Sequence, residues 1–189
     1  MSILTDLKNY HPYNEQERID VAEIIRRLES GEELFLRSNN AGHFSASAWV
    51  VNPDHTKVLM AYHKIYNSWA WLGGHADGDH NLLRVALKEV NEESGVFPTP
   101  ISEDIYSVEI LTVDGHEKHG HYVPSHLHLN VTYLLEADDT APIRPKEDEN
   151  TAVAWFGLNE ALEKSTEPWF VNRIYKKLNE KLEYFPVKN

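Results

Sequence analysis

The sequence predicts an α/β fold in a single domain, and three observations lead to that prediction. A glycine-rich turn at Gly73-Gly74 runs into an amphipathic helical pattern that ends at Gly95. Stretches with strand character precede and follow this helix, and further helical patterns lie near both ends of the chain. The 189 residues suit one domain with a sizeable core, and no repeat or low-complexity linker divides them.

Near its start the chain predicts a helix at about residues 14–30. Asn14 and Glu17 have the spacing of a capping box, and Gly31 closes the segment. Between them apolar residues recur every three positions, namely Ile19, Ala22, Ile25 and Leu28. We expect this helix to pack against the domain, and a homodimer contact is its alternative use.

Strand patterns occupy the region before the glycine-rich turn. Residues 44–51 and 57–62 predict the two strands of a hairpin, joined by the turn at 52–54. Residues 69–72 then predict a short strand that leads directly into Gly73. The order is therefore strand, turn and helix around the glycines.

After the helix, residues 105–113 and 126–135 predict two strands, separated by a polar, glycine-containing loop at 114–121. An acidic, proline-bearing loop at 141–150 precedes a short strand at 152–156 and a small helix at 159–163. Pro168 opens a last helix, in which one apolar stripe is formed by Phe170, Ile174, Tyr175, Leu178 and Leu182.

The helix after the glycines has identifiable ends. Asp79 is a good N-cap candidate, and Gly95 lies where a left-handed residue is expected after the last turn. One apolar stripe runs along the helix, formed by Leu82, Leu83, Ala86, Leu87 and Val90. This stripe predicts that the helix is buried along one side.

The acids of this helix are unusual in their placement. Glu89, Glu92 and Glu93 gather on one side within about one turn, and Glu93 falls inside the arc of the apolar stripe. Their repulsion would be relieved by a hard cation with oxygen ligands, and the backbone carbonyl of Gly73 could join them. For the acids alone, a solvated charged edge of an ordinary amphipathic helix remains the alternative.

Residues 74–96 resemble the Nudix box, G-x5-E-x7-R-E-U-x-E-E-x-G-U, in which U is aliphatic. The matching positions are Gly74, Glu89, Val90, Glu92, Glu93, Gly95 and Val96. Two positions depart from the pattern: His80 stands where the first Glu is expected, and Lys88 replaces the Arg. Lys supplies a point charge where Arg offers a planar fork. Asp79 or Asp77 could partly replace the missing carboxylate.

The resemblance implies a Nudix-type α/β/α sandwich with a mixed sheet. It also implies a divalent-metal-dependent hydrolase that cleaves the pyrophosphate bond of a nucleoside diphosphate linked to another moiety. Mg²⁺ or Mn²⁺ would be held by the Gly73 carbonyl, Glu92, Glu93 and Glu149. Glu89 would either share the metal shell or act as the base, and the two roles stay open.

Glu149 enters this set because it lies six residues before Trp155. Many Nudix enzymes look similar here, with an acid from a later loop that reaches back to the metal. A solvated acid in an acidic loop is the alternative, and Glu147 or Asp148 could take the same role.

Four further residues are candidates for substrate binding. Trp69 and Trp71 could stack on a nucleobase, although their strand spacing also suits a place in the core. His126 and His128 share one face of a strand, where either could donate to a phosphate or a base. A transition-metal pair, or two half-buried strand histidines, are the alternatives.

Composition excludes several classes of protein. The net charge of −12, with no basic cluster, argues against a nucleic-acid or anionic-membrane partner. The absence of cysteine excludes disulfides, a Cys-based zinc site and thiol catalysis. No secretory signal or membrane-spanning stretch is expected, so we predict a cytoplasmic enzyme with a small-molecule substrate.

Two other functions are compatible with the resemblance. Isomerases of the isopentenyl diphosphate type resemble Nudix proteins in fold, but they rely on an active-site cysteine, which this chain lacks. A nucleotide-sensing module that uses the same fold without catalysis is the second. Sensors often erode the box acids, whereas Glu89, Glu92 and Glu93 are intact here.

Overall fold

The computed structural model describes residues 2–64, 67–118, 120–146 and 150–187. Its helices are α1 (Ile3–Asn9), α2 (Glu15–Glu29), α3 (Leu82–Ser94), α4 (Leu158–Lys164), α5 (Pro168–Phe170) and α6 (Lys176–Lys181). A π turn (Val171–Tyr175) joins α5 to α6, and a 3₁₀ turn (Leu182–Tyr184) follows. Within the described ranges, no helix combines the length and apolar character that crossing a bilayer requires.

The strands are β1 (Gly42–Val51), β2 (Lys57–His63), β3 (Ser68–Ala70), β4 (Leu72–His75), β5 (Thr99–Pro100), β6 (Ser107–Val113), β7 (His116–Lys118), β8 (His121–Val123), β9 (His126–Glu136) and β10 (Asn150–Gly157). The main sheet has the order β10-β2-β1-β9-β5, while β3 pairs with β2, β4 with β1 and β6 with β9. Because β1 and β9 are parallel and the other pairs are antiparallel, the sheet is mixed, as predicted.

Helices cover both faces of the sheet. Alternate residues of β1 point to opposite faces, so Phe44 and Ala46 join a core with α1, α2 and α3. Trp49 and Val51 join a second core with the C-terminal helices. Burial on both sides explains why β1 is apolar or small along most of its length. The expected α/β/α sandwich is confirmed.

Local predictions hold best for the helices. Asn14 caps α2 by accepting from the Glu17 backbone N–H at 3.0 Å, and the predicted helix at 14–30 is observed as Glu15–Glu29. The last helix begins at Pro168 as predicted. Gly95 has a φ of 75° and ends α3. The prediction missed α1 and the short strand β5.

The N-cap of α3 was predicted wrongly. Asn81, rather than Asp79, accepts from the Arg84 backbone N–H at 3.0 Å. The Asp79 carboxylate instead accepts from the Asn81 backbone N–H at 2.8 Å and pairs with the Arg84 side chain at 2.6 Å. The helix therefore starts two residues later than the sequence indicates, because Asp79 closes a turn ahead of it.

Two strand predictions also need correction. Residues 69–72 were expected to form one strand, but β3 pairs with β2 and β4 pairs with β1, so the chain changes neighbours at Trp71. The stretch 114–121 was expected to be a loop, but β7 and β8 form a separate hairpin. In both places the pairing partner, rather than the local pattern, decides the element.

A buried ionic network joins α2, β6 and α6, and the sequence did not indicate it. The Lys177 ammonium lies 3.0 Å from Glu17 Oε1 and 2.9 Å from Glu109 Oε1, and Lys181 lies 3.2 Å from Glu17 Oε1. The Tyr10 hydroxyl donates to Glu17 Oε2 at 2.7 Å. Two carboxylates and two ammonium groups balance each other in the interior, which is the condition for keeping such charges buried.

This network predicts a loss of stability in acid. Burial by itself would raise the pKa of Glu17, but Lys177, Lys181 and the hydrogen bonds from Tyr10 and Tyr13 outweigh it and lower the pKa from 4.5 to about 2. A pKa lowered by folding stabilises the protein above pH 4.5, and this contribution disappears as the pH falls towards 2. We expect about 3 kcal/mol of the free energy of unfolding to be lost over that range.

Urea unfolding measured from about pH 5 to about pH 2 tests this loss, because that range covers the unfolded-state and folded-state pKa of Glu17. The Glu17→Gln variant is the control, because it removes the titrating group. Its unfolding free energy should vary less with pH over the same range. Equal pH dependence in the two proteins would contradict the assignment to Glu17.

Candidate active site

Strand β4 and helix α3 bring the predicted acids to the glycine backbone. In the ladder between β1 and β4, Gly73 lies opposite Ser47 and Gly74 lies opposite Ala46. The Gly73 backbone N–H donates to Glu93 Oε2 at 3.0 Å. A Cβ added to Gly74 would lie 2.5 Å from the Glu89 carboxyl carbon, so the Glu89 carboxylate rests directly on that glycine. Gly74 is needed because the Glu89 carboxylate occupies the space of a side chain, and Gly73 is needed because the backbone of β1 at Ala46 and Ser47 does so.

Burial distinguishes these acids from a solvated edge. Glu93 is 6% exposed and Glu89 is 9% exposed, whereas Glu92, on the outer side of the helix, is exposed. Burial raises the pKa of Glu89, and the neighbouring Lys88 ammonium acts in the opposite direction. A buried carboxylate with a shifted pKa is characteristic of functional sites. Glu93 contacts Gly73, Glu89 contacts Gly74, and Glu89 and Glu92 share the Lys88 ammonium; we call the three acids the acidic cluster.

Two lysines contact the acidic cluster. Lys88 Nζ lies 3.2 Å from Glu89 Oε1 and 3.4 Å from Glu92 Oε1. Lys146 Nζ, from the segment after β9, lies 3.5 Å from Glu92 Oε2. At the position where the box has Arg, Lys88 thus acts as a point charge shared by two carboxylates.

Glu149 lies outside the described residues, but both flanks of its loop are fixed near α3. The Asn150 side-chain amide donates to the Glu93 carbonyl at 3.1 Å. Its Oδ1 accepts from the Lys146 backbone N–H at 3.0 Å. Lys146 and Asn150, which flank this segment, therefore both lie beside the acidic cluster.

The position of the missing first Glu lies at the other end of α3. The His80 ring stacks on Phe35, with ring centroids 3.9 Å apart. Asp77, one possible substitute, is bound by Arg37, whose Nε lies 2.6 Å from Asp77 Oδ1. Asp79 is engaged by an arginine of α3, as described above. These contacts give both aspartates a structural role at the start of the helix.

Trp69 and Trp71 lie on the face that packs against the C-terminal helices. Both are half-buried and join the second core. The Trp69 ring lies 4.8 Å from Phe156, and the Trp71 ring lies 5.8 Å from Tyr175, both edge to face. This packing favours the core role that the sequence left open, and base stacking by either residue stays a prediction.

His126 and His128 belong to a group of four histidines on neighbouring strands. The parallel pairing of β1 with β9 sets His43 opposite His128, and β4 places His75 opposite Ser45 on the other side of β1. The ligand nitrogens of His43, His75, His126 and His128 all lie within 4.8 Å of one another. The sequence marked the pair on β9 but missed His43 and His75, because only the strand order brings them together. We call these four residues the histidine cluster.

Two surface depressions lie at the two ends of α3. One, of about 520 Å³, is next to Gly95 and Arg144. The other, of about 740 Å³, is next to Asn81 and Arg84. None of the three acids lines either one. Buried carboxylates on a close-approaching glycine backbone are a more specific sign of chemistry than volume, so the acidic cluster is the candidate site.

Comparisons with known proteins agree with this geometry. The family model of the NUDIX domain matches residues 42–178, which include the sheet core, α3 and the acidic cluster. No curated protein sequence matches the chain.

Solved structures of low sequence identity share the fold. A Nudix-family hydrolase from Clostridium perfringens superposes with a TM-score of 0.52 at 20% identity, covering 76% of this chain and 97% of that one. A Nudix hydrolase from Nitrosomonas europaea gives 0.55 at 17% identity, covering 76% and 90%. An Ap4A hydrolase from C. elegans, solved as a binary complex, gives 0.52 at 17% identity, covering 75% and 96%.

Proposed function

The chain belongs to the Nudix family, and we propose on that basis that it hydrolyses the pyrophosphate bond of a nucleoside diphosphate linked to another moiety and depends on Mg²⁺ or Mn²⁺. The observation that carries the proposal is the contact of Glu89 and Glu93 with the backbone of Gly73 and Gly74. It holds two buried carboxylates at one edge of the sheet, in a position to bind a cation.

The donor set fits such a metal. Mg²⁺ and Mn²⁺ prefer oxygen ligands, and the acidic cluster supplies carboxylate oxygens at the edge of a core. We assign Glu92, Glu93 and the Gly73 carbonyl as ligands, with Glu149 as a further ligand from the loop. When bound, the cation would neutralise diphosphate oxygens and lower the pKa of a coordinated water.

The residues of the chain have separate tasks in this proposal. Glu89 shares the metal shell or takes the proton of the attacking water. Its burial raises its pKa, and the charge of a nearby divalent ion would lower it again. Lys88 contacts both Glu89 and Glu92 and would keep their carboxylates in place. Trp69 and Trp71 remain proposed substrate contacts, whereas His126 and His128 belong to the histidine cluster and are assigned a different role below.

The proposal includes a cytoplasmic location and a small-molecule substrate. It includes no nucleic-acid or membrane partner, because the net charge of −12 lacks an offsetting basic cluster. A homodimer stays an open prediction. Helix α2 turns Val21 and Ile24 into the first core, which supports the packing role of that helix.

A metal-supplemented substrate screen tests the function. Purified protein would be incubated with nucleotide sugars, ADP-ribose, dinucleotides and diadenosine polyphosphates, with Mg²⁺, Mn²⁺ or a chelator. The Ap4A activity named for the C. elegans neighbour is the reason for including the last class. We expect phosphate-containing products from at least one substrate, only with metal. Binding without product would favour the sensing module, and no turnover of any substrate at micromolar enzyme would contradict the proposal.

A substitution at Gly74 should disable the site without unfolding the protein. In Gly74→Ala the new Cβ would fall 2.5 Å from the Glu89 carboxyl carbon, which forces that carboxylate to move. A displacement of this kind costs on the order of a hundredfold in kcat. The measurement is kcat on whichever substrate the screen identifies.

Gly157→Ala is the matched control, because its added Cβ meets nothing closer than 4.0 Å and its φ is −56°. That variant should retain wild-type kcat. If Gly74→Ala also retained it, the contact between Glu89 and Gly74 would have no part in catalysis.

A further inference from the structure

We propose that His43, His75, His126 and His128 form a second metal site, which takes a transition-metal ion of the Zn²⁺ type and is distinct from the acidic cluster. The four residues come from three adjacent strands: His43 from β1, His75 from β4 and the other two from β9. Neutral imidazole is a preferred ligand of Zn²⁺, and four such ligands make a closed, tetrahedral site of the structural kind.

The spacing of the nitrogens suits one central ion. His75 Nε2 lies 3.1 Å from His128 Nε2, and His126 Nε2 lies 3.2 Å from the same atom. Zinc–nitrogen bonds of about 2.0–2.1 Å in a tetrahedron separate the ligand nitrogens by about 3.3 Å. The remaining pairs, all within 4.8 Å, need only small side-chain rotations to reach that spacing.

Backbone carbonyls select the imidazole tautomer in which Nε2 is free to bind a metal. His126 Nδ1 lies 2.8 Å from the Pro124 carbonyl, and His43 Nδ1 lies 3.1 Å from the Asn39 carbonyl. A carbonyl only accepts, so both Nδ1 atoms carry the hydrogen and both Nε2 atoms present a lone pair in the neutral ring. Metal-bound histidines are oriented by this kind of outer contact.

His43 provides an independent sign of a missing ligand. It is 4% exposed, and its Nε2 atom is buried without a hydrogen-bond partner among the described residues. Buried ring nitrogens normally have a partner, because leaving one without costs about 1–3 kcal/mol. Because His43 Nδ1 contacts the Asn39 carbonyl, Nε2 is the atom left to act as the ligand.

The contacts between the rings are also better explained by a cation than by hydrogen bonds. His128 Nε2 is close to two other Nε2 atoms, but it has one in-plane direction for a hydrogen or a lone pair. It can therefore satisfy only one of the two contacts. A shared ion accepts all of the lone pairs at once.

Burial disfavours protonation of two of the four rings, His43 and His128. Burial, together with the potential of His43 and His126, lowers the pKa of His128 to about 3. Burial also lowers the pKa of His43. Arg37, the nearby cation, is paired with Asp77.

The site would tie the end of β4 to β1 and β9. His75 directly follows Gly73-Gly74, and its side chain lies on the opposite face of the sheet from the acidic cluster, because successive residues of a strand alternate. A bound ion would therefore stabilise the strand that carries both glycines without taking part in phosphate chemistry.

The test uses the full chain without a histidine tag, stripped by a chelator and titrated with Co²⁺ and then Zn²⁺. We expect one Co²⁺ per chain, with the intense visible absorption of tetrahedral cobalt, and its displacement by Zn²⁺. We also expect a higher Tm with Zn²⁺. His128→Asn and His75→Asn should each lower zinc affinity more than about a hundredfold, since even outer-shell changes reach that size.

Two controls locate the site. His11→Asn changes an exposed histidine and should keep wild-type zinc affinity. Glu93→Gln should also keep it, which separates this proposal from the hydrolase, because zinc binding is read without turnover. Substoichiometric zinc, octahedral cobalt spectra, or unchanged affinity in folded His128→Asn and His75→Asn would overturn the proposal. If His128→Asn fails to fold, the zinc affinity of His75→Asn tests the proposal, because His75 is only half-buried at the end of β4.

Discussion

Replacing Glu93 by Gln is expected to lower kcat about a thousandfold and to leave the fold intact. Gln keeps an oxygen that can accept from the Gly73 backbone N–H, which donates to Glu93 at 3.0 Å, so the helix and strand stay joined. What the substitution removes is the negative charge proposed to bind the metal. Losing several kcal/mol of charge stabilisation in the transition state corresponds to a factor of this size.

The measurement is steady-state kcat and KM over a range of Mg²⁺ concentrations, with circular dichroism and Tm as the check on folding. Glu163→Gln is the matched control, because it makes the same change at an exposed position of α4. We expect wild-type kcat from that control. A folded Glu93→Gln protein with wild-type kcat at every Mg²⁺ concentration would remove Glu93 from the metal site.

The second large effect is on stability: Lys177→Met should lower the free energy of unfolding by about 3–5 kcal/mol. Lys177 is 4% exposed and lies between Glu17 and Glu109, at 3.0 and 2.9 Å. Met has nearly the same length and removes only the charge. Glu17 would then keep its contact with Lys181, but Glu109 would lose the ammonium group that it contacts, and uncompensated buried charge is costly.

Urea unfolding at neutral pH measures this change. Lys176→Met makes the same substitution at the neighbouring, exposed position and should alter the free energy by less than about 0.5 kcal/mol. The two variants therefore separate burial of the charge from loss of a lysine. Equal unfolding midpoints would show that the network contributes little.

Much of the acidic cluster could be predicted from sequence because its members are close along the chain. Helical spacing puts Glu89, Glu92 and Glu93 on one side, and Gly95 ends the helix in the left-handed conformation. The two glycines precede the helix by a short turn. Local geometry decides these relations, so pattern and spacing were sufficient.

Predictions failed where a choice of partner decides the structure. Asp79 and Asn81 are both good capping residues, and a turn closed by Asp79 moved the helix start to Asn81. Trp71 lies between two strands with different neighbours, which a continuous apolar pattern does not reveal. Propensity does not rank such alternatives, because tertiary pairing contributes more free energy.

The sequence by itself determined the α/β class, the box helix and its three acids, through contacts within a few turns of chain. The tertiary structure alone decided which distant residues meet. The parallel pairing of β1 with β9 sets His43 beside His128, and the packing of α6 against α2 sets Lys177 beside Glu17. The physical reason is that sheet order and helix packing depend on burial over the whole domain, so residues far apart in sequence become neighbours only in the folded chain.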